Sequence, residues 1–267
     1  MISTSSVQSV VKSQATDDST PQAQGTQSKE DKKLLQAASA SGAVAVNLVT
    51  NTTRAVVDDS TLIIAGDLDI ESHSLGVIAG VAIATSSAEV QKQGAGAKDA
   101  GDGPAAVAPD ADSSKKGAAK EQMPKTFSAA GTGAVNILRL NTYAALTDST
   151  VTTTGGGVSV VAENTGINAS VAGAKASSAG PGVGASVAVN ILSGNTHAYI
   201  QDSSVTAAGD LQVASRDLGV VAAVAAAGAS ATGSLALPIS VAVNIADMDT
   251  RAFIETTHHA MSHSIIV

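Results

Sequence analysis

Apolar residues occupy every second position in several stretches of the chain: Val44, Val46 and Leu48; Val187, Val189 and Ile191; Val241, Val243 and Ile245. Shorter runs with the same period follow. Ala198 and Ile200 alternate, and so do Leu211 and Val213, which match Leu68 and Ile70 earlier in the chain. Alternation bounded by Gly, Asn and Asp reads as β-strand, because successive strand side chains point to opposite faces. On this pattern Val and Ile are expected to fill the inside, while Asn, Asp-Ser and Gly-Asp turn the corners. The runs "GVVAAVAAAGASATGS" and "GVIAGVAIATSSAE" carry two signals. Ala favours helix, but the interspersed Val, Gly, Ser and Thr favour strand, and strand is the reading adopted.

The alternating stretches belong to one recurring phrase. Asn47, Asn136, Asn190 and Asn244 are separated by 89, 54 and 54 residues. Thr follows six residues later in all four copies, Ala eight later and an aliphatic residue ten later. Asp-Ser follows at twelve in three copies, beginning at Asp59, Asp148 and Asp202, and Gly at nineteen in the same three, Gly66, Gly155 and Gly209. The period is read as 54 residues, with an excess of about 35 in the first copy. That excess is placed at 92–126, and residues 12–35 sit at the equivalent point before the first Asn. Ten of the eleven Lys and four of the six Pro lie in these two segments, which read as loops or disorder. The expected organisation is a partial repeat with a polar insert at 1–35, repeats at 36–91, 127–182 and 183–236 with the insert 92–126 between the first two, and an incomplete, degenerate repeat at 237–267. Short strands with this period predict an all-β fold, a parallel β-helix or β-solenoid in which like residues stack on like. A coil of 54 residues is wide for a core so poor in aromatics, so two coils of about 27 or three of about 18 per period are expected. With two coils, equivalent Asn residues would stand about 9.6 Å apart, too far for a direct side-chain ladder.

Composition sharpens this picture. Hydrophobic residues make up 44% of the chain, yet there are two Phe, two Tyr and no Trp, so the apolar content is Ala, Val, Ile and Leu. Small and β-branched side chains suit thin repeated layers of strand better than one bulky core. A net charge of −8 argues against binding nucleic acid or anionic membrane by charge. With no Cys, disulfides and thiolate metal sites are ruled out. "MISTSSVQSVVKSQ" lacks the charged start and apolar core of a signal peptide, and no uninterrupted 18-residue apolar span predicts a membrane helix. If the protein is exported, the export signal is expected to lie outside this chain. The last copy stops in mid-phrase without a capping element, so stacking on further repeats of a longer chain is expected.

Candidate chemistry is sparse. The repeated Asn are read as structural, because Asn tolerates left-handed backbone and bonds neighbouring backbone groups. Asp59, Asp148 and Asp202 supply one carboxylate per period, too few for a calcium ion that takes six to eight oxygens. His259 and His263 have the i, i+4 spacing of a helical metal pair, but no Glu completes H-E-x-x-H, and a flexible terminal cluster is the reading adopted. His73 and His197 are expected to face solvent. Asp58 and Asp59 are adjacent and so point to opposite faces of a strand. "TDSTVTTTGG" suggests a Thr-rich ice-binding face, but only one copy carries it. No catalytic, cofactor-binding or metal-ligating set is assigned, and no cofactor is expected.

The phrase "SVAVNILSGNTHAYIQDSSVTAAGDLQVAS", followed by an Ala/Gly/Ser-rich run, resembles the repeats of leukotoxin-type large filamentous adhesins of bacteria, with filamentous haemagglutinins and autotransporter passenger domains as wider relatives. The resemblance covers roughly residues 36–91 and 127–267. It implies a right-handed parallel β-helix, secretion or display at the cell surface, and attachment to a glycan or protein on a host or neighbouring cell. A β-helical enzyme acting on polysaccharide and a passive surface filament are the alternatives.

Overall fold

The computed structural model describes residues 2–15, 36–90, 125–232, 235–255 and 259–267. Among these residues there are thirteen strands and no helix: β1 (Ile2–Ala15), β2 (Gln36–Asp58), β3 (Thr61–Ile64), β4 (Leu68–Val90), β5 (Lys125–Thr147), β6 (Thr150–Thr153), β7 (Val158–Ser178), β8 (Gly182–Gln201), β9 (Ser204–Thr206), β10 (Leu211–Ala231), β11 (Ala236–Glu255), β12 (His259–Met261) and β13 (Ile265–Ile266). The Ala-rich runs lie in β4 and β10, as strand. The expected inserts at 12–35 and 92–126 fall mostly outside the described residues. At their margins, β1 runs on to Ala15 and β5 already begins at Lys125.

Every strand pairing is parallel. The strands form three sheets, ordered β1-β4-β7-β10-β13, β11-β8-β5-β2 and β12-β9-β6-β3. The chain thus runs long strand, short strand, long strand, and then lies against its own previous circuit. This all-β stack of parallel sheets is consistent with a β-solenoid. Asn136 pairs with Asn47 on one side and Asn190 on the other, and Asn244 pairs with Asn190. One circuit through the sheets separates successive Asn residues, so the expected two or three coils per period do not occur.

The interior changes character from one end of the cross-section to the other. Beside the short strands it is filled by Ile70, Leu146, Val151, Val160, Ile200, Val205, Leu211 and Val213. Farther along, the two long sheets face each other directly, and the filling shrinks to Ala43, Ala45, Ala82, Ala84, Ala134, Ala172 and Ala188. Between the two zones Leu138, Leu140 and Leu192 project from one sheet. They meet glycines on the other: a Cβ on Gly76 would stand 2.7 Å from Leu140 Cδ2, and one on Gly166 would stand 2.9 Å from Leu192 Cδ1. Large against none is the way two close sheets fill their gap without voids or overlap.

This packing reverses part of the expected inside and outside. Val44, Val46 and Leu48 are more than 60% exposed, and Val187, Val241, Val243 and Ile245 also face out. Their partners of opposite parity, Ala45, Asn47, Ala188 and Asn190, face in. Ala198, Ile200, Leu211 and Val213 do point inward as expected. The reason is continuity. β8 runs unbroken from Gly182 to Gln201, so Asn190 shares the face of Ala198 and Ile200, and Val189 and Ile191 must take the other. The Asn is in the middle of a strand and turns no corner.

The corners belong to Asp-Ser. Asp59, Asp148 and Asp202 adopt φ of 45°, 47° and 49°, the left-handed region that Asp enters more readily than most residues. The following serines tie successive circuits together. Ser149 Oγ donates to Thr147 O (2.6 Å) and accepts from Ser60 N (3.0 Å). Ser203 Oγ donates to Gln201 O (2.8 Å) and accepts from Ser149 N (3.2 Å). At the next corner, Gly209 N donates to Gly156 O (2.8 Å), while a Cβ on Gly155 would stand 2.6 Å from Ala65 O. The second circuit takes one more residue from its Asn to its next long strand than its neighbours do, and Gly155, Gly156 and Gly157 absorb it.

Candidate contact surfaces and the asparagine ladder

The repeated asparagines form a ladder inside the stack. Asn136 and Asn190 are fully buried and Asn47 nearly so. Asn47 Nδ2 donates to Asn136 Oδ1 (2.8 Å), Asn136 Nδ2 to Asn190 Oδ1 (3.2 Å), and Asn190 Nδ2 to Asn244 Oδ1 (3.1 Å). Each of the three donating amides also reaches across the gap to a backbone carbonyl of the opposite sheet, at Ala79, Ala169 and Ala222. Those three alanines are themselves in register. Each primary amide therefore bonds both along the stack and across it, which suits a side chain with two N–H groups and one carbonyl. The cross-links hold the sheets close, and Gly80 leaves the room: a Cβ there would stand 2.9 Å from Asn47 Nδ2.

Outside, equivalent residues line up into rows. On the sheet of β2, β5, β8 and β11, Val46, Val135, Val189 and Val243 share one row, and Leu48, Ile137, Ile191 and Ile245 the next. On the sheet of β4, β7 and β10, Val77, Ile167 and Val220 form a row. Ala79, Ala169 and Ala222 form the next, and Val81, Val171 and Val224 a third. Both faces carry large aliphatic residues that are exposed or half-buried.

Nearer the short strands, the outer face of β2, β5, β8 and β11 turns polar and aromatic. Arg54, Tyr143, His197 and Arg251 occupy one row. Arg54 Cζ lies 5.1 Å from the Tyr143 ring centroid, and Tyr143 and His197 meet edge to face at 5.7 Å. His197 Nε2 is 3.3 Å from Asp249 Oδ2, and Arg251 Nε donates to Asp249 Oδ1 (2.8 Å). The Arg251 hydrogen bond, reinforced by His197, holds the Asp249 carboxyl below its usual value. In the row beside it Tyr199 and Phe253 stack with centroids 5.1 Å apart. Arg139, Asn141, Asn195, Asp247 and Asp249 border a shallow depression next to this strip. Three of the four aromatic residues of the chain lie in the strip.

On the opposite sheet, His73 lies between two carboxylates: Nε2 is 3.2 Å from Glu71 Oε2, and Nδ1 is 3.2 Å from Glu163 Oε2. The hydrogen bond to Glu71, with help from Glu163, raises its pKa above 6.5. His73 is exposed as expected, whereas His197 is largely covered by its neighbours, its side chain retaining 20% exposure. His259 begins the strand β12 and His263 follows it, donating its N–H to Gly209 O (3.0 Å). His259 lies in a strand and His263 on the bend after it, so the i, i+4 spacing is not that of one helix face. Ile265 pairs with Leu211, as the repeat alignment predicts.

Of the residues singled out from sequence, the asparagines converge in the interior, and the Asp and Gly positions mark two separate corners. The outer strip was missed. It falls five, seven and nine residues after each Asn, where residue type varies, whereas the Thr and Ala shared by all four copies fall at six and eight. Among the described residues, no three His, Cys, Asp or Glu side chains gather as a metal site would require, and no helix is long and apolar enough to cross a membrane. Compared with family models, with curated proteins and with solved structures, the chain matches none.

Proposed function

We propose that this chain is a section of a right-handed β-solenoid with a 54-residue coil, part of an exported bacterial surface adhesin, and that it presents repeated contacts to a host or neighbouring cell. The observation that carries the reading is the register-aligned outer strip of Arg54, Tyr143, His197, Arg251, Tyr199 and Phe253. Aromatic and Arg side chains are the residue types that dominate contact energy at protein surfaces. Here they stand on a backbone braced by the asparagine ladder and by the serine bonds between successive corners. A rigid row of weak contacts gains by multivalency, since each engaged site raises the effective concentration of the next. Adhesion would then need no bond-making chemistry.

The test is attachment of protein-coated beads to cultured host cells, to bacterial cells and to immobilised glycans. Binding above that of beads coated with an unrelated protein, reduced by Arg251→Ala with Tyr199→Ala while strand content is unchanged, is the expected result. Equal retention of both bead types on every surface would refute attachment. Release of reducing sugar from a polysaccharide panel would replace this reading with the enzymatic one.

A further inference from the structure

We propose that the depression beside the outer strip binds one carboxylated sugar ring, the end residue of an acidic glycan. The inference rests on the attachment reading for its setting and names the class of ligand. The site lies on the outer face of β5, β8 and β11. Ser193 and Gly194 form its floor, Arg139 and Asn141 one side, Asp247 and Asp249 the other, with Asn195 beside Asn141 and Asp249. Arg139 falls between the buried Leu138 and Leu140, so strand alternation points it outward. Arg139 and Asp247 are the register partners of Ser193 on its two sides. Their backbones stand about 9.6 Å apart, at about 4.8 Å per strand.

The polar groups here retain bonding capacity. Among the described residues, neither Arg139 nor Asp247 makes an ion pair. Asn195 N donates to Asn141 Oδ1 (3.3 Å), and Asn195 Nδ2 donates to Tyr143 Oη (3.5 Å). That leaves Asn141 Nδ2 as a donor and Asn195 Oδ1 as an acceptor. Arg251 Nε and His197 Nε2 hold Asp249 in place, and its carboxylate keeps lone pairs for a further donor. The site thus offers a guanidinium fork and an amide donor on one side, and carboxylate acceptors on the other.

That set selects the ligand. A guanidinium fork pairs with a planar carboxylate through two parallel hydrogen bonds. Asp247 and Asp249 repel a second negative charge but accept from hydroxyl groups. A ligand that suits both sides carries one carboxylate and several hydroxyls. An acidic sugar meets that description, whereas a polyanionic peptide or nucleic acid does not. No aliphatic side chain lines the depression, so an apolar anchor gains nothing there. Its volume of about 220 Å³ lies below the about 300–1,000 Å³ of pockets that enclose a drug-sized molecule. One ring is what it takes.

Saturation-transfer NMR on the full chain tests this with two acidic probes, sialyllactose and methyl glucuronide, and their neutral counterparts, lactose and methyl glucoside. At least one acidic probe is expected to bind, and its neutral counterpart about tenfold more weakly or not at all. Which acidic probe binds separates a sialic acid from a uronic acid. Arg139→Gln is expected to weaken the acidic probe about tenfold and leave the neutral one unchanged, with Arg139→Lys, which keeps the charge without the fork, in between. Circular dichroism checks that strand content is kept; Arg139 is exposed, so its replacement leaves the core intact. Transfer to neither acidic probe, equal binding of acidic and neutral probes, or full binding by Arg139→Gln would overturn the proposal. If beads still attach to cells in any of these cases, attachment stands and only the carboxylated-sugar site falls. Binding of an acidic probe by a protein whose beads attach nowhere would have the opposite meaning, keeping the site and removing the attachment reading.

Discussion

Truncating Asn136 tests the internal ladder directly. Its Oδ1 accepts from Asn47, and its Nδ2 donates to Asn190 Oδ1 and to the carbonyl of Ala169. Asn136→Ala leaves one amide hydrogen of Asn47 and the amide oxygen of Asn190 without partners in a buried setting. Each such group costs about 1–3 kcal/mol, so a loss of about 2–6 kcal/mol is expected. Asn47→Ala removes two donors but orphans a single side-chain group, Asn136 Oδ1, and is expected to cost about 1–3 kcal/mol on the same scale. The double variant Asn136→Ala with Asn190→Ala is expected to lose less than the two single variants summed, because they share one bond and bonded neighbours couple by about 0.5–3 kcal/mol. Urea unfolding followed by far-ultraviolet circular dichroism reads wild type, the three single variants and the double variant. If Asn136→Ala falls within about 0.5 kcal/mol of wild type, the level of an ordinary surface change, or if the end of the ladder costs as much as its middle, the ladder is not what holds the sheets together.

Three further expectations follow from other parts of the stack. Ala188 is fully buried and Val187 beside it is exposed, so Ala188→Leu should cost about 1–3 kcal/mol by overpacking while Val187→Thr stays within about 0.5 kcal/mol; the reverse order in thermal melts would restore the inward-facing Val. Asp148 holds a φ of 47°, so Asp148→Val should destabilise by about 1–2 kcal/mol relative to Asp148→Gly; equal melting temperatures for the two would remove the left-handed corner as the reason for Asp. The His73 imidazole should titrate above 6.5 by proton NMR and move back towards that value in Glu71→Gln. Because the folded value is the raised one, any stabilisation from this group is full below the unfolded value and fades as pH climbs through the folded value. A midpoint unmoved by Glu71→Gln would break the assignment.

Much of the architecture was legible in one dimension. The all-strand reading followed from the period of two, and the Ala-rich runs came out as strand because Val, Gly, Ser and Thr are scattered through them. The Asp-Ser corners were legible from residue chemistry: Asp enters the left-handed region, and Ser can bond backbone on either side. The alignment of Ile265 with Leu211 held even where the phrase had degenerated. The face assignment failed at one identifiable step, a turn placed at the Asn. A break there lets Val189 and Ile200 share the inside. With the strand continuous, their opposite parity forbids it. The outer strip was not legible because its residue types vary from copy to copy, beside a Thr and an Ala that do not.

The sequence by itself determined that the chain is strand throughout its repeated phrase, that it turns at Asp-Ser, and which residues recur in step. It could not determine which of two alternating sets faces inward, since Val/Ile and Ala/Asn are equally periodic and burial of bulk favours the first. Only the tertiary structure decided that, because the distance between the two long sheets is a property of both strands together. Once Asn amides bridge to carbonyls across the gap, the inward positions on one side of them hold only Ala, and the Val and Ile of opposite parity are left outside. The number of strands per circuit was settled in the same way. Asn stacks directly on Asn, and a side-chain bond of about 3 Å requires adjacent strands.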